Sequence, residues 1–281
     1  MAAVREAVAR ALAEDLGPDG DVSSALIEDR EARAVIVSRQ SGVLAGSLCA
    51  EEAFRQVDAS TRVDWLVRDS DDLHPDQKVA TMGGRLSSLL TAERTALNFL
   101  GHLSGVAGFT RKFVDAVTTL GQAQILDTRK TTPGLRELEK AAVRAGGGTN
   151  HRMSLSDMVL LKDNHLMALG ITEAVAQARR RWPALKVEVE CETLEQVIEA
   201  VDAGVDVVML DNMSPDEVAH CVGKMDGRCP VEVSGNVTLE TAGVYSAAGA
   251  DWISVGRLTH SAPALDLSME IRVAPDSEGF F

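Results

Sequence analysis

Six short apolar runs recur between residues 125 and 255, and each ends at a charged residue or at a serine or glycine. They cover residues 125–126, 158–161, 187–189, 207–210, 231–233 and 252–255. Segments with helical spacing of apolar residues lie between them, so the pattern predicts βα units around a parallel sheet. The six strands favour a small or incomplete (β/α) barrel over a full eight-stranded one. Because a barrel carries its active site at the C-terminal strand ends, we expect the reactive side chains at one rim.

The first third of the chain has a different pattern. Apolar residues with helical spacing predict a helix over residues 3–16, which is ended by Gly17-Pro18-Asp19-Gly20. Strand-like runs follow at residues 34–37, 63–67 and 78–82, and residues 51–57 have helical spacing. This mixture predicts a small sheet with helices packed on it.

A long helical segment over residues 87–119 separates the two patterns. Its glycines predict a break near residues 101–108. We therefore predict an N-terminal α/β domain over residues 1–105 and a barrel domain over 106–260. The tail, residues 261–281, is expected to return and pack on the first domain.

Composition narrows the class of ligand. The chain has 281 residues, with 42 acidic and 28 basic residues and a net charge of −14, which argues against nucleic acid or an anionic membrane as a partner. No apolar stretch approaches the ~20 residues of a membrane span. The four cysteines lack the spacing of a metal site, so we expect them to be reduced. These features predict a cytoplasmic protein.

Cations are concentrated locally despite the acidic composition. Thr128, Arg129 and Lys130 follow the first barrel strand, and Lys162 follows the second. His151 and Arg152 come after the triple glycine 146–148, where the backbone is expected to bend sharply or approach a ligand. Such a group suits a carboxylate or a phosphate. Surface charge in flexible loops is the alternative interpretation for each.

Two acidic residues end neighbouring strands. Glu190 and Asp211 supply the oxygen ligands that Mg²⁺ prefers. Glu188, Glu190 and Glu192 alternate along one strand and would alternatively face solvent. Glu190 is the better candidate for an inward position, but the period of two places Glu188 on the same side.

The last two strands end in small residues. Ser234-Gly235-Asn236 and Val255-Gly256-Arg257 occupy these ends, and helix starts are predicted at Thr238 and near Ser261. Barrels bind phosphate at this place through backbone N–H groups and a helix N-terminus. The pattern indicates a phosphate ester as ligand.

Taken together, these motifs resemble the quinolinate phosphoribosyltransferase family. The similarity extends over nearly the whole chain, including residues 20–24 and 93–98. It is carried by Asp127-Thr128-Arg129-Lys130-Thr131-Thr132-Pro133-Gly134-Leu135-Arg136, Asn150-His151-Arg152, Leu161-Lys162-Asp163-Asn164-His165, Glu190, Met209-Leu210-Asp211-Asn212, Glu232-Val233-Ser234-Gly235-Asn236 and Ser254-Val255-Gly256. The resemblance implies a type II phosphoribosyltransferase fold, with an N-terminal α/β sandwich, an incomplete α/β barrel and assembly at least as a homodimer.

The resemblance also implies substrates and roles. Quinolinate, phosphoribosyl pyrophosphate and Mg²⁺ would give nicotinate mononucleotide, pyrophosphate and CO₂. The carboxylates of quinolinate would be bound by Arg129, His151, Arg152 and Lys162, with Arg94 from the neighbouring subunit. Phosphoribosyl pyrophosphate and its metal would be held by Lys130, Glu190, Asp211 and the backbones of Ser234, Gly235, Asn236 and Gly256. Lys130, Glu190 and Asp211 are the catalytic candidates.

Three other functions fit the residues. A Schiff-base aldolase would use Lys130 or Lys162 on the same barrel. A barrel that binds a phosphate ligand without turnover would show affinity but release no pyrophosphate. A nicotinate-type phosphoribosyltransferase would differ only in its preference for the pyridine substrate.

Overall fold

The computed structural model describes residues 1–273. Its helices are α1 (Ala2–Leu16), α2 (Ser47–Val57), α3 (Leu86–Leu120), α4 (Arg136–Ala145), α5 (Asp163–Leu169), α6 (Ile171–Arg181), α7 (Leu194–Asp202), α8 (Pro215–Met225), α9 (Leu239–Ala247) and α10 (Arg257–His260). Its strands are β1 (Glu31–Ser38), β2 (Gly42–Val43), β3 (Arg62–Trp65), β4 (Asp72–Leu73), β5 (Lys78–Arg85), β6 (Gln124–Leu126), β7 (Val159–Leu161), β8 (Val187–Cys191), β9 (Val207–Asp211), β10 (Val231–Ser234), β11 (Trp252–Ser254) and β12 (Leu267–Val273).

The chain forms two compact units. The first contains Met1–Phe109, Thr132–Gly147 and the segment that begins at Ser261, and the second contains Thr110–Thr131 and Gly148–His260. Helix α4 thus belongs to the first unit, although it lies within the predicted range 106–260. The division at residues 105 and 106 stays a prediction, and residues 274–281 of the predicted tail lie outside the described residues.

The first unit is built on an antiparallel sheet with the strand order β12-β1-β5-β3. Strand β1 alternates exposed and buried residues at its start and becomes almost fully buried towards its end, as expected for a central strand. Helix α1 buries Val4, Ala7, Val8 and Leu12, which recur at helical spacing. The described part of the C-terminal tail enters this sheet, because β12 pairs antiparallel with β1.

The second unit is built on a parallel sheet of six strands with the order β6-β11-β10-β9-β8-β7. All six predicted strands are present, and the α/β fold with an incomplete barrel is confirmed. The strands are nearly continuous runs of buried residues, as in β9, where Val207, Val208, Met209 and Leu210 are all buried, because helices cover a parallel sheet. Their C-terminal ends therefore meet at one rim.

The predicted break in the long helix is wrong, since α3 is continuous from Leu86 to Leu120. Its glycines serve close approach by another segment. A Cβ atom on Gly105 would lie 2.2 Å from the carbonyl oxygen of Pro263, and one on Gly101 would lie 3.0 Å from that of Leu265. The backbone N–H of Leu265 donates to the carbonyl of Gly101 at 2.9 Å. A glycine in a helix thus marked a packing site here, at a tolerable cost in helix stability.

All four cysteines are free thiols, as the sequence predicts. Cys49, Cys191 and Cys221 are buried free thiols, and Cys229 is a partly buried one. Burial raises the pKa of Cys49 and of Cys191 to about 12, which keeps both thiols protonated and unreactive. Within residues 1–273 no helix has the length and apolar character needed to cross a membrane.

Candidate active site

A cavity of about 320 Å³ opens at the C-terminal ends of the six-stranded sheet. Seven of the predicted site residues line it: Thr128, Arg129, Lys130, His151, Arg152, Lys162 and Ser234. The remaining lining residues are Asp127, Leu160, Met209, Glu232 and Ser254. The structure thus brings together cations that sequence analysis assigned to three separate segments.

The loop that carries His151 and Arg152 is held against the end of β6. Asp127 follows this strand and is fully buried. Its carboxylate accepts hydrogen bonds from the Asn150 side chain and, at 2.9 Å, from the backbone N–H of His151. The backbone N–H of Thr149 donates to the carbonyl of Ile125 at 2.8 Å. The loop after the triple glycine is therefore ordered like a further strand edge, and its side chains are presented to the cavity.

Two guanidinium groups face the cavity, that of Arg129 from the segment after β6 and that of Arg152 from this loop. Burial and the nearby charge of Arg129 both lower the pKa of Arg152 from its ordinary value. Its Nη1 donates to the carbonyl of Met158 at 3.3 Å, which leaves further donors of the fork for a ligand. Two like charges held together in a partly buried place favour an anion between them.

The Lys162 ammonium forms an ion pair with the Glu190 carboxylate. The Lys162 side chain is 43% exposed, whereas that of Glu190 is only 12% exposed. Asp211 ends the neighbouring strand β9, and its carboxylate accepts from the Asn212 side chain at 2.6 Å. Neither Glu190 nor Asp211 is part of the cavity lining. Both carry carboxylate oxygens, the donors that a hard divalent cation prefers.

Beneath the cations, His151 lies between two buried glutamates. Its Nε2 is 3.1 Å from Oε2 of Glu188 and 3.3 Å from Oε2 of Glu232, and both glutamates have 0% exposure. Burial disfavours a charged imidazole, but the hydrogen bonds and charges of the two glutamates outweigh burial and raise the pKa of His151 to about 10. Burial raises the pKa of Glu188 to about 7, with a contribution from Glu232 and partial opposition from His151. This cluster therefore retains a proton at neutral pH.

The ends of β6 and β11 approach each other closely. A Cβ atom on Gly256 would lie 3.1 Å from Cδ of Lys130 and 3.5 Å from Oγ1 of Thr128. The backbone N–H of Lys130 donates to Thr128 Oγ1 at 3.0 Å, and the Thr259 hydroxyl donates to the carbonyl of Lys130 at 2.8 Å. The predicted phosphate segment at Gly256 is thus adjacent to a predicted cation.

The ends of β9 and β10 form a second tight junction. Asn212, Gly235 and Asn236 all have positive φ, at 56°, 97° and 49°. A Cβ atom on Gly235 would lie 2.2 Å from Oδ1 of Asn212. The N–H of Asn212 donates to the carbonyl of Ser234 at 2.9 Å. Only glycine fits between these two strand ends.

The remaining predicted site residues lie elsewhere. Arg94 is exposed on α3 in the first unit, Val255 is buried, and Arg257 is exposed as the first residue of α10. The predicted helix start near Ser261 is wrong, because the helix after β11 is α10, Arg257–His260. The chain turns into it directly from Gly256, without an intervening loop.

Sequence reasoning did not assign Asp127, Glu188 or Glu232 to the site. The sequence of β8 did indicate Glu188, because Glu188 and Glu190 lie two residues apart and therefore on the same face of the strand. Both side chains are directed inward. Glu232 shows the same signal within β10, where it stands between Val231 and Val233. A charged residue within an otherwise apolar strand of a buried sheet indicates a partner inside.

Comparison with known proteins agrees with this geometry. A family model for the C-terminal domain of quinolinate phosphoribosyl transferase matches residues 106–270, and the model for its N-terminal domain matches residues 21–104. The probable nicotinate-nucleotide pyrophosphorylase (carboxylating) of Bacillus subtilis (strain 168) is 41% identical over 266 residues, which are 94% of this chain and 92% of that protein.

Solved structures agree as well. The nicotinate-nucleotide pyrophosphorylase of Francisella tularensis superposes with a TM-score of 0.94 at 38% identity and 96% coverage of both chains. Human nicotinic acid phosphoribosyltransferase has a TM-score of 0.60 at 11% identity, with 86% of this chain and 70% of that chain covered, and this likeness concerns the fold alone. The resemblance inferred from the sequence is confirmed: the chain belongs to the quinolinate phosphoribosyltransferase family.

Proposed function

We propose that the protein is a pentosyltransferase of NAD biosynthesis that transfers the phosphoribosyl group of phosphoribosyl pyrophosphate to quinolinate. The products are nicotinate mononucleotide, pyrophosphate and CO₂. The observation that carries the proposal is the cavity at the strand ends, where Arg129, Arg152 and Lys162 collect in a chain of net charge −14. Such a pocket concentrates an anionic substrate in a protein whose overall field repels it.

Quinolinate would occupy this cavity, with its two carboxylates bound by Arg129, Arg152 and Lys162 and with His151 in the adjoining wall. The close pair of guanidinium groups supports this assignment, since two adjacent carboxylates on one ring match two adjacent cations. Thr128 adds a hydroxyl at the same wall. A monocarboxylate such as nicotinate would leave part of this charge uncompensated.

Phosphoribosyl pyrophosphate would bind beside quinolinate, at Lys130 and the strand ends that include Ser234, Gly235, Asn236, Val255, Gly256 and Arg257. Glu190 and Asp211 would hold Mg²⁺, which would neutralise charge on the pyrophosphate. Their carboxylate oxygens fit such an ion, although Lys162 contacts Glu190 in the structure. The Lys162 ammonium lines the cavity and would face a substrate carboxylate there.

The arrangement suits the chemistry of the reaction. Cleavage of the bond between ribose C1 and pyrophosphate builds positive charge on the sugar, so acidic residues near the ring and cations near the leaving group lower the barrier. After transfer, the pyridine nitrogen is cationic and stabilises the carbanion that remains when the adjacent carboxylate leaves as CO₂. The main task of the site is therefore to hold two anionic substrates in the reactive orientation.

The test is a coupled assay with quinolinate, phosphoribosyl pyrophosphate and Mg²⁺. We expect pyrophosphate and CO₂ in equal amounts, and much slower release of pyrophosphate when nicotinate replaces quinolinate. Faster release with nicotinate would reverse the substrate assignment. Covalent trapping of Lys130 or Lys162 by borohydride with a carbonyl substrate would instead favour the aldolase.

We further propose a homodimer in which Arg94 enters the site of the partner subunit. Its exposure on α3 is compatible with this role. Arg94→Ala and Lys162→Ala proteins should each be nearly inactive alone. Mixed under exchange, they should recover about a quarter of wild-type activity, because half of the dimers are mixed and each of these holds one intact site of two. Verified heterodimers without activity would refute shared sites.

A cytoplasmic location belongs to the same proposal. The four free cysteines support it, three of them buried without a disulfide partner, because reducing compartments maintain such thiols.

A further inference from the structure

Both ring nitrogens of His151 are engaged within the protein. Its Nε2 is directed at the carboxylates of Glu188 and Glu232, at 3.1 and 3.3 Å. Its Nδ1 accepts a hydrogen bond from the backbone N–H of Arg152 at 2.8 Å. Because two N–H groups cannot face each other at this distance, Nδ1 is the unprotonated acceptor and the ring proton lies on Nε2. The further proton that the raised pKa values of His151 and Glu188 indicate is then shared between Nε2 and the two glutamates.

This tautomer leaves His151 without an N–H group for a substrate carboxylate. It also disfavours a metal ion bound by His151, Glu188 and Glu232. A metal ion bound to Nε2 would require the imidazole proton to lie on Nδ1. That nitrogen already accepts the hydrogen bond from the N–H of Arg152. His151 therefore binds the backbone of Arg152, the residue that carries one of the two guanidinium groups.

The two glutamates fix the ring from the other side. Glu188 and Glu232 come from β8 and β10, which are rigid strands of the sheet, and both are fully buried. His151, Arg152 and Glu232 also line a second cavity of about 350 Å³, which reaches Lys186 and Trp252 at the opposite ends of the strands. His151 and Glu232 therefore lie between the two cavities, and strands β8 and β10 hold the two glutamates in place.

We propose that Glu188, Glu232 and His151 form a buried network of positioning residues, which fixes the backbone of Arg152 and thereby aims its guanidinium at the substrate carboxylate. His151 then acts on substrate through Arg152 and donates no hydrogen bond of its own to it. The inference rests on the proposed function, since it takes the substrate to be a dicarboxylate bound by Arg152.

Two substitutions of His151 separate the roles of its nitrogens. The Asn side chain places its amide oxygen near the position of Nδ1, whereas the Gln side chain places its amide nitrogen near that of Nε2. His151→Asn keeps the acceptor for the Arg152 N–H, and His151→Gln loses it. We expect His151→Gln to weaken quinolinate binding about tenfold more than His151→Asn, the value of one hydrogen bond in a buried site, while affinity for phosphoribosyl pyrophosphate is equal in both.

A direct hydrogen bond from Nε2 to substrate would reverse this order, because His151→Gln would retain the donor. Equal losses in the two variants, or a parallel loss of phosphoribosyl pyrophosphate affinity, would show a merely structural role and overturn the proposal. His220→Gln is the control, since His220 is exposed on α8 outside both cavities. Isothermal titration calorimetry measures the affinity of each folded variant for each ligand. Only variants with similar melting temperatures are compared.

A second pair tests the glutamate side. Glu188→Gln keeps an oxygen that accepts from Nε2–H, whereas Glu188→Met has a similar length and no strong acceptor. We expect the Met variant to raise KM for quinolinate about tenfold above that of the Gln variant, with a smaller change in kcat. Equal KM values would overturn the network. If wild-type protein binds no quinolinate at all, the proposed function fails. That result differs from the outcomes that overturn the network, in which wild-type protein still binds quinolinate.

Discussion

Arg152→Ala and Arg129→Ala should each weaken quinolinate binding by about 2 to 5 kcal/mol, because a buried carboxylate loses its charged partner. This corresponds to roughly thirtyfold to several-thousandfold in the dissociation constant. The effect should be larger for quinolinate than for nicotinate, which has one carboxylate fewer. Isothermal titration with each pyridine ligand measures the difference.

The matched control for these variants is Arg228→Ala. Arg228 is an exposed residue of the same unit, paired with Asp202 at 2.7 Å on the surface, and such pairs contribute little. Quinolinate affinity should be unaffected by this change. Unaltered affinity in both cavity variants would remove Arg129 and Arg152 from the carboxylate site.

Gly235→Ala should disrupt the junction between β9 and β10 and weaken the binding of phosphoribosyl pyrophosphate at least about tenfold. The new Cβ would lie 2.2 Å from Oδ1 of Asn212 and 2.8 Å from its backbone nitrogen, at a residue with φ of 97°. Overpacking and a left-handed backbone each cost about 1 to 3 kcal/mol. Relief of this strain must move the strand ends proposed to hold phosphate.

Gly227→Ala separates the effect of backbone strain from that of overpacking. Gly227 also has positive φ, at 70°, but a Cβ there meets no atom within 4 Å. This variant should lose stability through backbone strain alone and retain affinity for phosphoribosyl pyrophosphate. Thermal unfolding and titration of both variants provide the comparison. Equal losses of affinity would show that close approach at Gly235 is unimportant for binding.

Much of the fold followed from local pattern. Helices pack against the parallel sheet, so its strands are apolar runs that the sequence displays directly. The long helix shows where this reasoning fails. Gly101 and Gly105 predict a break by propensity, but the segment that packs on them begins more than 150 residues later, at Pro263. No local pattern contains that contact.

The residues of the site likewise fall into those that local sequence pattern predicted and those that it did not. Arg129 and Lys162 were found because the end of a strand is visible in the sequence. The cluster around His151 was not, because it joins residues from a loop and two strands, and its glutamates are identified only once strand order is known. The period of two placed Glu188 on the inner face. It did not reveal that a histidine lies opposite.

Strand β1 has β5 on one side and β12 on the other, and the latter partner is more than 200 residues away in sequence. At roughly 5 to 20 residues per second on the ribosome, residues 31–38 wait on the order of ten seconds or longer for residues 267–273. Throughout that interval one edge of an apolar strand offers unpaired N–H and C=O groups to neighbouring nascent chains. Deletion of residues 267–273 would make this exposure permanent, so its first consequence should be aggregation during synthesis.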